Sequence, residues 1–150
     1  MCLLFCFTAC EEKNNSISGP ELEWISGGTS ITYTYSGGVI SGYNFHRSFN
    51  VTKESGELTV NVQISGDDNS KVSGTFNVEN GKQYSLGVKG TKSGSHVSSP
   101  GSKCLTVVFS SPNSQTDQEI KVDSYLVSSG GIDTYYCANS LVFGEISLSE

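Results

Sequence analysis

The chain has 150 residues, of which 17 are glycine, seven are tyrosine and one is methionine. That length fits a single domain, and the recurring β-branched and aromatic residues, beside few strong helix formers, favour β-structure. Fifteen acidic residues against nine basic ones give a formal net charge of −6. This balance argues against nucleic acid or anionic lipid headgroups as partners, because either would require a basic surface.

An apolar run at residues 3–9 opens the chain, and it is far too short for a helix that crosses about 30 Å of hydrocarbon. The segment Phe7-Thr8-Ala9-Cys10 resembles the lipobox of bacterial lipoproteins, with phenylalanine where leucine is usual. The resemblance implies that residues 1–9 are a signal peptide and that Cys10 is lipidated. No basic segment precedes the run, and a buried N-terminal strand or an ordinary cleaved signal remains an alternative.

Residues 10–20 comprise the cysteine that the resemblance implies to be lipidated and a polar segment without apolar alternation, which predicts a flexible tether. Two or three acyl chains on one terminus would hold the protein on a membrane durably, because a single chain binds only marginally. The pair Glu11-Glu12 resembles the surface-export signal of Bacteroidetes lipoproteins. We therefore expect lipid anchoring in the bacterial cell envelope, at the outer membrane and facing outward.

Alternation of apolar and polar residues with a period of two begins at Trp24 and recurs between segments rich in Gly, Ser, Asn and Asp. This pattern predicts strands, and no segment keeps a helical period for three turns. For residues 21–150 we expect an all-β domain of about eight or nine strands, an antiparallel β-sandwich in preference to one closed sheet. The predicted strands centre on residues 31–35, 43–51, 58–64, 72–78, 84–88, 105–109, 120–122, 135–143 and 146–148.

The segment 78–88 resembles the E–F corner of fibronectin type III and related immunoglobulin-like domains. An apolar residue closes a strand at Val78, a turn follows at Gly81, and Tyr84 opens the next strand. The resemblance implies a tyrosine corner, in which the buried hydroxyl bonds to backbone a few residues upstream. The core tryptophan of strand C has no counterpart, since Trp24 comes too early, so the segment supports a sandwich and not membership of that family.

Cys104 and Cys137 remain as one pair if the signal peptide is removed, and both lie in predicted strands. An oxidising compartment would favour a disulfide between them. Free buried thiols and a soft-metal pair are the alternatives. A zinc site would need two more ligands, and His46 and His96 stand at no recognisable spacing for it.

Segment 65–70 contains Asp67, Asp68 and Asn69 between two well-marked strands. Asp, Asn and Gly are the residues that hairpin turns require, so a turn is the first interpretation. Three oxygen-bearing side chains in a row also make a weak calcium candidate, although calcium takes six to eight oxygens.

Residues 90–102 are rich in Gly and Ser and contain His96, and they predict a long connection without regular structure. Such connections are either functional or tolerated surface insertions. Four tyrosines offer a second candidate surface, because exposed aromatic rings stack on sugar rings, unless they fill the sandwich core. The candidate ligand-binding residues are Tyr33, Tyr35, Tyr135, Tyr136 and His96.

No nucleophile elbow, phosphate-binding loop or His-Glu-x-x-His motif occurs in the sequence. We therefore expect no enzyme and no cofactor, but a lipoprotein whose sandwich binds a glycan or protein ligand or serves adhesion. One alternative is a structural or accessory envelope protein without a ligand of its own. The other is a hydrolase, which would need two carboxylates or a Ser/His pair in a concave pocket.

Overall fold

The computed structural model describes residues 18–150, so the predicted signal peptide and the lipidation of Cys10 lie outside the described residues. The described chain forms twelve strands and no helix, and hence no helix there is long and apolar enough to cross a membrane. The strands are β1 (Leu22–Ser36), β2 (Val39–Val51), β3 (Gly56–Ile64), β4 (Asp67–Val78), β5 (Gln83–Lys92), β6 (Ser95–Ser98), β7 (Lys103–Ser110), β8 (Gln118–Asp123), β9 (Tyr125–Ser129), β10 (Ile132–Ala138), β11 (Leu141–Phe143) and β12 (Ser147–Ser149).

The first sheet has the order β1-β2-β5, and β11 and β12 follow each other along the free edge of β5. All of its pairs are antiparallel. Alternation along β2 puts Tyr43, Phe45 and Phe49 on the buried face, while Asn44 and His46 point outward. Burial of three large rings on one strand makes β2 the centre of this half of the core.

The second sheet has the order β4-β3-β7-β8, again antiparallel throughout. Its central strand β3 buries the alternating residues from Leu58 to Ile64, which are at most 3% exposed. The Trp24 ring joins the two sheets, since its centroid lies 5.7 Å from that of Phe49 and 6.3 Å from that of Phe109. The fold is therefore the antiparallel sandwich that the alternation predicted.

A third, small sheet of order β6-β10-β9 lies at one end of the sandwich. The disulfide between Cys104 in β7 and Cys137 in β10 ties it to the second sheet, with a Cα–Cα distance of 5.3 Å. The predicted disulfide is thus present. It covalently attaches a sheet that shares no strand pairing with the other two.

The predicted tyrosine corner has its hydrogen bond, because the Glu79 N–H donates to the Tyr84 hydroxyl at 2.9 Å. As in an E–F corner, the strand that Tyr84 opens lies in a different sheet from the strand that Val78 closes, because β5 pairs with β2 in the first sheet and β4 pairs with β3 in the second. The corner therefore marks the crossing of the chain from the second sheet to the first.

Two expectations from the sequence were wrong in detail. Twelve strands form where eight or nine were expected, and residues 90–102 are not structureless, because they contain the end of β5 and the whole of β6. Strand β6 pairs with β10, but it lies at the sheet edge and three of its four residues are exposed. Because β6 buries neither face, its sequence does not alternate apolar and polar residues. The period of two that indicates a strand is therefore missing there.

Candidate functional site

A cleft of about 270 Å³ opens between the third sheet and the end of the first sheet where β2 begins. This volume lies just under the range of about 300–1,000 Å³ that is usual for pockets of small molecules. The cleft suits one ring of a ligand whose remainder stays outside. We call it the tyrosine cleft, and its lining residues are Val39, Lys92, Ser95, Tyr125, Val127 and Tyr136.

Strand pairing explains why one wall of the cleft is aromatic. Tyr125 and Tyr136 are direct partners in the β9–β10 pair, so their side chains share one face of the third sheet. Val127 follows two residues after Tyr125 and lies on that face as well. The two phenol rings are tilted by 32° with centroids 6.0 Å apart. Flat rings beside an aliphatic side chain form a wall that is apolar except for its hydroxyls.

The opposite wall contributes the cleft's one cation, Lys92, at the end of β5. Its Nζ donates to the Tyr125 hydroxyl at 2.6 Å and lies 4.9 Å from the centre of that ring. None of the six lining residues is acidic, and no carboxylate of residues 18–150 forms an ion pair with Lys92. The positive charge in the cleft is therefore not neutralised.

Tyr43 lies at the same end of β2 and is only 1% exposed, yet its hydroxyl has no hydrogen-bond partner within residues 18–150. Its ring packs edge to face on Tyr33, with centroids 5.6 Å apart. Burial raises the pKa of Tyr43 to about 12, and the neighbouring Tyr125 and Tyr33 add to the rise. Tyr43 is thus held as a neutral phenol, buried and without an acceptor among residues 18–150.

The four tyrosines that the sequence singled out separate into three positions. Tyr136 lines the cleft, while the adjacent Tyr135 points to the opposite face of the third sheet. Tyr33 and Tyr35 lie on β1 at the same end of the molecule, and they are 47% and 64% exposed. The structure therefore brings one predicted tyrosine into the cleft and puts two others on the surface at its end of the sheet.

His96 does not line the cleft. It lies in β6 opposite Cys137, on the other face of the third sheet, where its side chain is exposed. Its Nδ1 is 2.7 Å from the Asn139 Oδ1, so a neighbouring amide holds the ring. His96 therefore shares a face of the third sheet with Tyr135, and it lies on the opposite face from Tyr125 and Tyr136.

The carboxylates between β3 and β4 are used by the turn itself. Asp67 accepts hydrogen bonds from the Asn69 N–H at 3.0 Å and from the Ser70 hydroxyl at 2.9 Å. The Gln63 amide donates to Asp68 at 3.2 Å. Among the described residues no group of three or more His, Cys, Asp or Glu side chains could hold a metal ion. The hairpin interpretation accounts for this segment.

A shallower cavity of about 190 Å³ on the outer face of the first sheet brings together His46, Glu145 and Ser147. These are residue types of nucleophilic catalysis, so their contacts matter. The Ser147 hydroxyl donates to the Gly87 carbonyl at 3.4 Å, and no hydrogen bond within residues 18–150 links it to His46. The cavity therefore lacks the nucleophile–base contact that defines such a site.

The cavity near the last strand, about 310 Å³ in volume, is lined by Phe76, Tyr84 and Glu150 among others. The Tyr84 hydroxyl accepts a hydrogen bond from the Glu79 N–H, and the Glu150 carboxylate forms an ion pair with Lys82 at 3.2 Å. The Tyr84 and Glu150 side chains of this cavity thus have partners within the protein. The tyrosine cleft differs from it in offering a cation without a carboxylate.

Arg47 is a buried cation, whereas Lys92 is half-buried, and Arg47 lies toward the far end of β2 from the cleft. It is 5% exposed, and its terminal nitrogens donate to the Gln118 Oε1 at 2.7 Å, to the Ile25 carbonyl at 3.1 Å and to the Thr29 hydroxyl. Burial lowers the pKa of this guanidinium. Three acceptors hold it in place, although its Nε has no partner in the described chain.

Comparisons with protein-family models, with curated proteins and with solved structures found no match to this chain. Function is therefore inferred from the chain's own residues. Three of those that matter most, Lys92, Tyr125 and Tyr43, were not among the residues predicted from the sequence. Tyr125 and Val127, on either side of Leu126, have the period of two that could have indicated strand β9. Nothing local marks the contact of Lys92 with Tyr125.

Proposed function

We propose that this chain is a bacterial cell-envelope lipoprotein, lipidated at Cys10, whose sandwich domain binds a glycan in the tyrosine cleft without catalysing a reaction. The observation that carries the proposal is the lining of the cleft. Flat phenol rings, hydroxyl groups and one cation together suit a sugar ring, which presents C–H groups on its faces and hydroxyls on its edges.

The position of the cleft supports a role in binding. Residue 22 begins β1 opposite Val51, whereas the cleft lies where β2 starts at Val39. The 13 residues of β2, at about 3.3 Å each, separate these ends by up to roughly 40 Å. A tether that enters at residue 21 would therefore present the cleft on the side away from the membrane.

Occlusion of the cleft tests binding. Ser95 is exposed and lines the cleft, so Ser95→Trp should fill it at little cost in stability. Ser30→Trp, on the outward face of β1 opposite His46, is the matched control. On an array of neutral and acidic glycans, we expect the wild type and Ser30→Trp to bind the same glycans and Ser95→Trp to lose them. Equal binding by all three would refute the cleft as the site.

Metabolic labelling with an alkyne fatty acid tests the anchor. The native chain, expressed from its full reading frame, should take up label, and Cys10→Ala should not. Protease treatment of intact cells in parallel should remove the domain if it faces outward. Absence of label from the native chain would overturn the lipoprotein assignment, and absence of any glycan or protein ligand would favour the structural alternative.

A further inference from the structure

We propose that the glycan bound in the tyrosine cleft is acidic, with a uronic acid whose carboxylate is received by Lys92 while its ring stacks on Tyr136. This inference rests on the proposed function and adds the chemical class of the ligand. The first observation is the charge of the cleft: the Lys92 ammonium group is its one cation, and none of the lining residues carries a carboxylate.

Lys92 is positioned to receive an anion. Its Nζ donates one hydrogen bond to the Tyr125 hydroxyl, and an ammonium group has three hydrogens to donate. The remaining donors are held at the cleft by β5 and by the contact with the Tyr125 ring. Hydrogen bonds from an ammonium group to a carboxylate are roughly twice as strong as neutral ones, so a carboxylate is the favoured acceptor.

The hydroxyl groups around Lys92 add to this preference. Because the Tyr125 oxygen already accepts from Lys92, its own hydrogen is free to be donated to a ligand. Ser95 adds a hydroxyl at the edge of the cleft. A site with several donors and no acidic acceptor disfavours ligands that leave those donors unpaired.

The aromatic wall favours a saccharide over an acidic peptide. Tyr125 is buried and Lys92 lies over its ring, so the half-buried Tyr136 provides the ring face for stacking, in a cleft whose volume of about 270 Å³ holds about one ring. A uronic acid carries its carboxylate on the ring itself, so one residue can stack and pair with Lys92 together. The net charge of −6 makes general attraction of anions unfavourable, and selection must therefore come from contact inside the cleft.

Calorimetric titration of the purified full chain tests the inference. The probes are short oligosaccharides of galacturonate, alginate and hyaluronan, each beside its carboxyl-reduced form, with poly-glutamate as a peptide polyanion. We expect at least one acidic oligosaccharide to bind about tenfold or more tightly than its reduced form, the effect of one charge-assisted hydrogen bond. Lys92→Met should abolish that difference, and Lys92→Arg should largely retain it.

Lys89→Met is the matched control, because Lys89 lies on the same strand, pairs with Asn44 on the outward face and carries the same charge. It should bind as the wild type does. Equal binding of acidic and reduced forms would overturn the acidic ligand but leave the glycan-binding proposal standing. Binding of poly-glutamate through Lys92 without any uronate would overturn the saccharide. Binding of no glycan at all would overturn both.

Discussion

Where β1 begins, the Trp24 indole donates to the Thr116 carbonyl at 3.0 Å, and the buried Arg47 reaches three acceptors. Where β1 ends, the buried Tyr43 hydroxyl has no acceptor within residues 18–150, and Tyr33 and Tyr35 stand exposed. Each end keeps one buried donor without a partner among residues 18–150, the Arg47 Nε and the Tyr43 hydroxyl, so the ends differ in their aromatic rings: Trp24 is buried between the sheets at the first, while Tyr33 and Tyr35 are exposed at the second. The contrast separates a part of the molecule that secures the fold from a part whose aromatic rings are open to solvent.

The largest difference between the two ends should appear when aromatic rings are truncated. Phe49 is fully buried and packs on Trp24, so Phe49→Ala should lower the free energy of unfolding by about 3–5 kcal/mol. Tyr35→Ala removes a ring that is 64% exposed and should cost less than about 0.5 kcal/mol. Urea unfolding followed by fluorescence measures both. Similar losses of unfolding free energy in the two variants would contradict this difference between the two ends.

The disulfide is the next largest effect, since it ties the cleft's third sheet to the second sheet. Replacing Cys104 and Cys137 together by Ser opens a loop with a sequence separation of 33 and should lower the free energy of unfolding by about 2–4 kcal/mol. Ligand affinity should fall as well, because β9 and β10 supply the aromatic wall. Unchanged affinity in a destabilised double variant would show that strand packing alone holds the cleft.

Alkaline pH should weaken the fold through Tyr43. Its folded pKa of about 12 lies above the ordinary value of 10.0, so the unfolded chain releases this proton first as the pH rises. The stabilisation is complete below about pH 10 and is lost between the two pKa values. Between pH 9 and about 11.5 the wild type should lose about 2 kcal/mol more than Tyr43→Phe. Parallel stability curves for the two proteins would contradict this.

The smallest effects come from removing single hydroxyls, and they should differ in sign. Tyr84→Phe leaves the Glu79 N–H without its acceptor and should cost about 1–2 kcal/mol. Tyr43→Phe removes a buried donor that has no partner, and it should be neutral or stabilise by up to about 1 kcal/mol.

Local patterns were predictable from the sequence where burial is one-sided and continuous. Strand β3 shows strict alternation from Leu58 to Ile64, and the tyrosine corner at Tyr84 depends on residues within one turn. Strand β6 was not predictable, because it buries neither face. The contact of Lys92 with Tyr125 could not be predicted from the sequence either. It joins two sheets whose relative position depends on the whole core and the disulfide.

The interrupted pairing of β1 affects whether two copies of this protein can pair edge to edge. Between Trp24 and Thr29 the chain takes five steps along β1 against two along β2, so residues 25–28 bulge out of the ladder. β1 is 15 residues long and forms an edge of the first sheet, where a straight strand of that length would invite pairing with a neighbouring molecule. The bulge breaks that template. The bulge therefore disfavours edge-to-edge pairing of two copies along the whole length of β1.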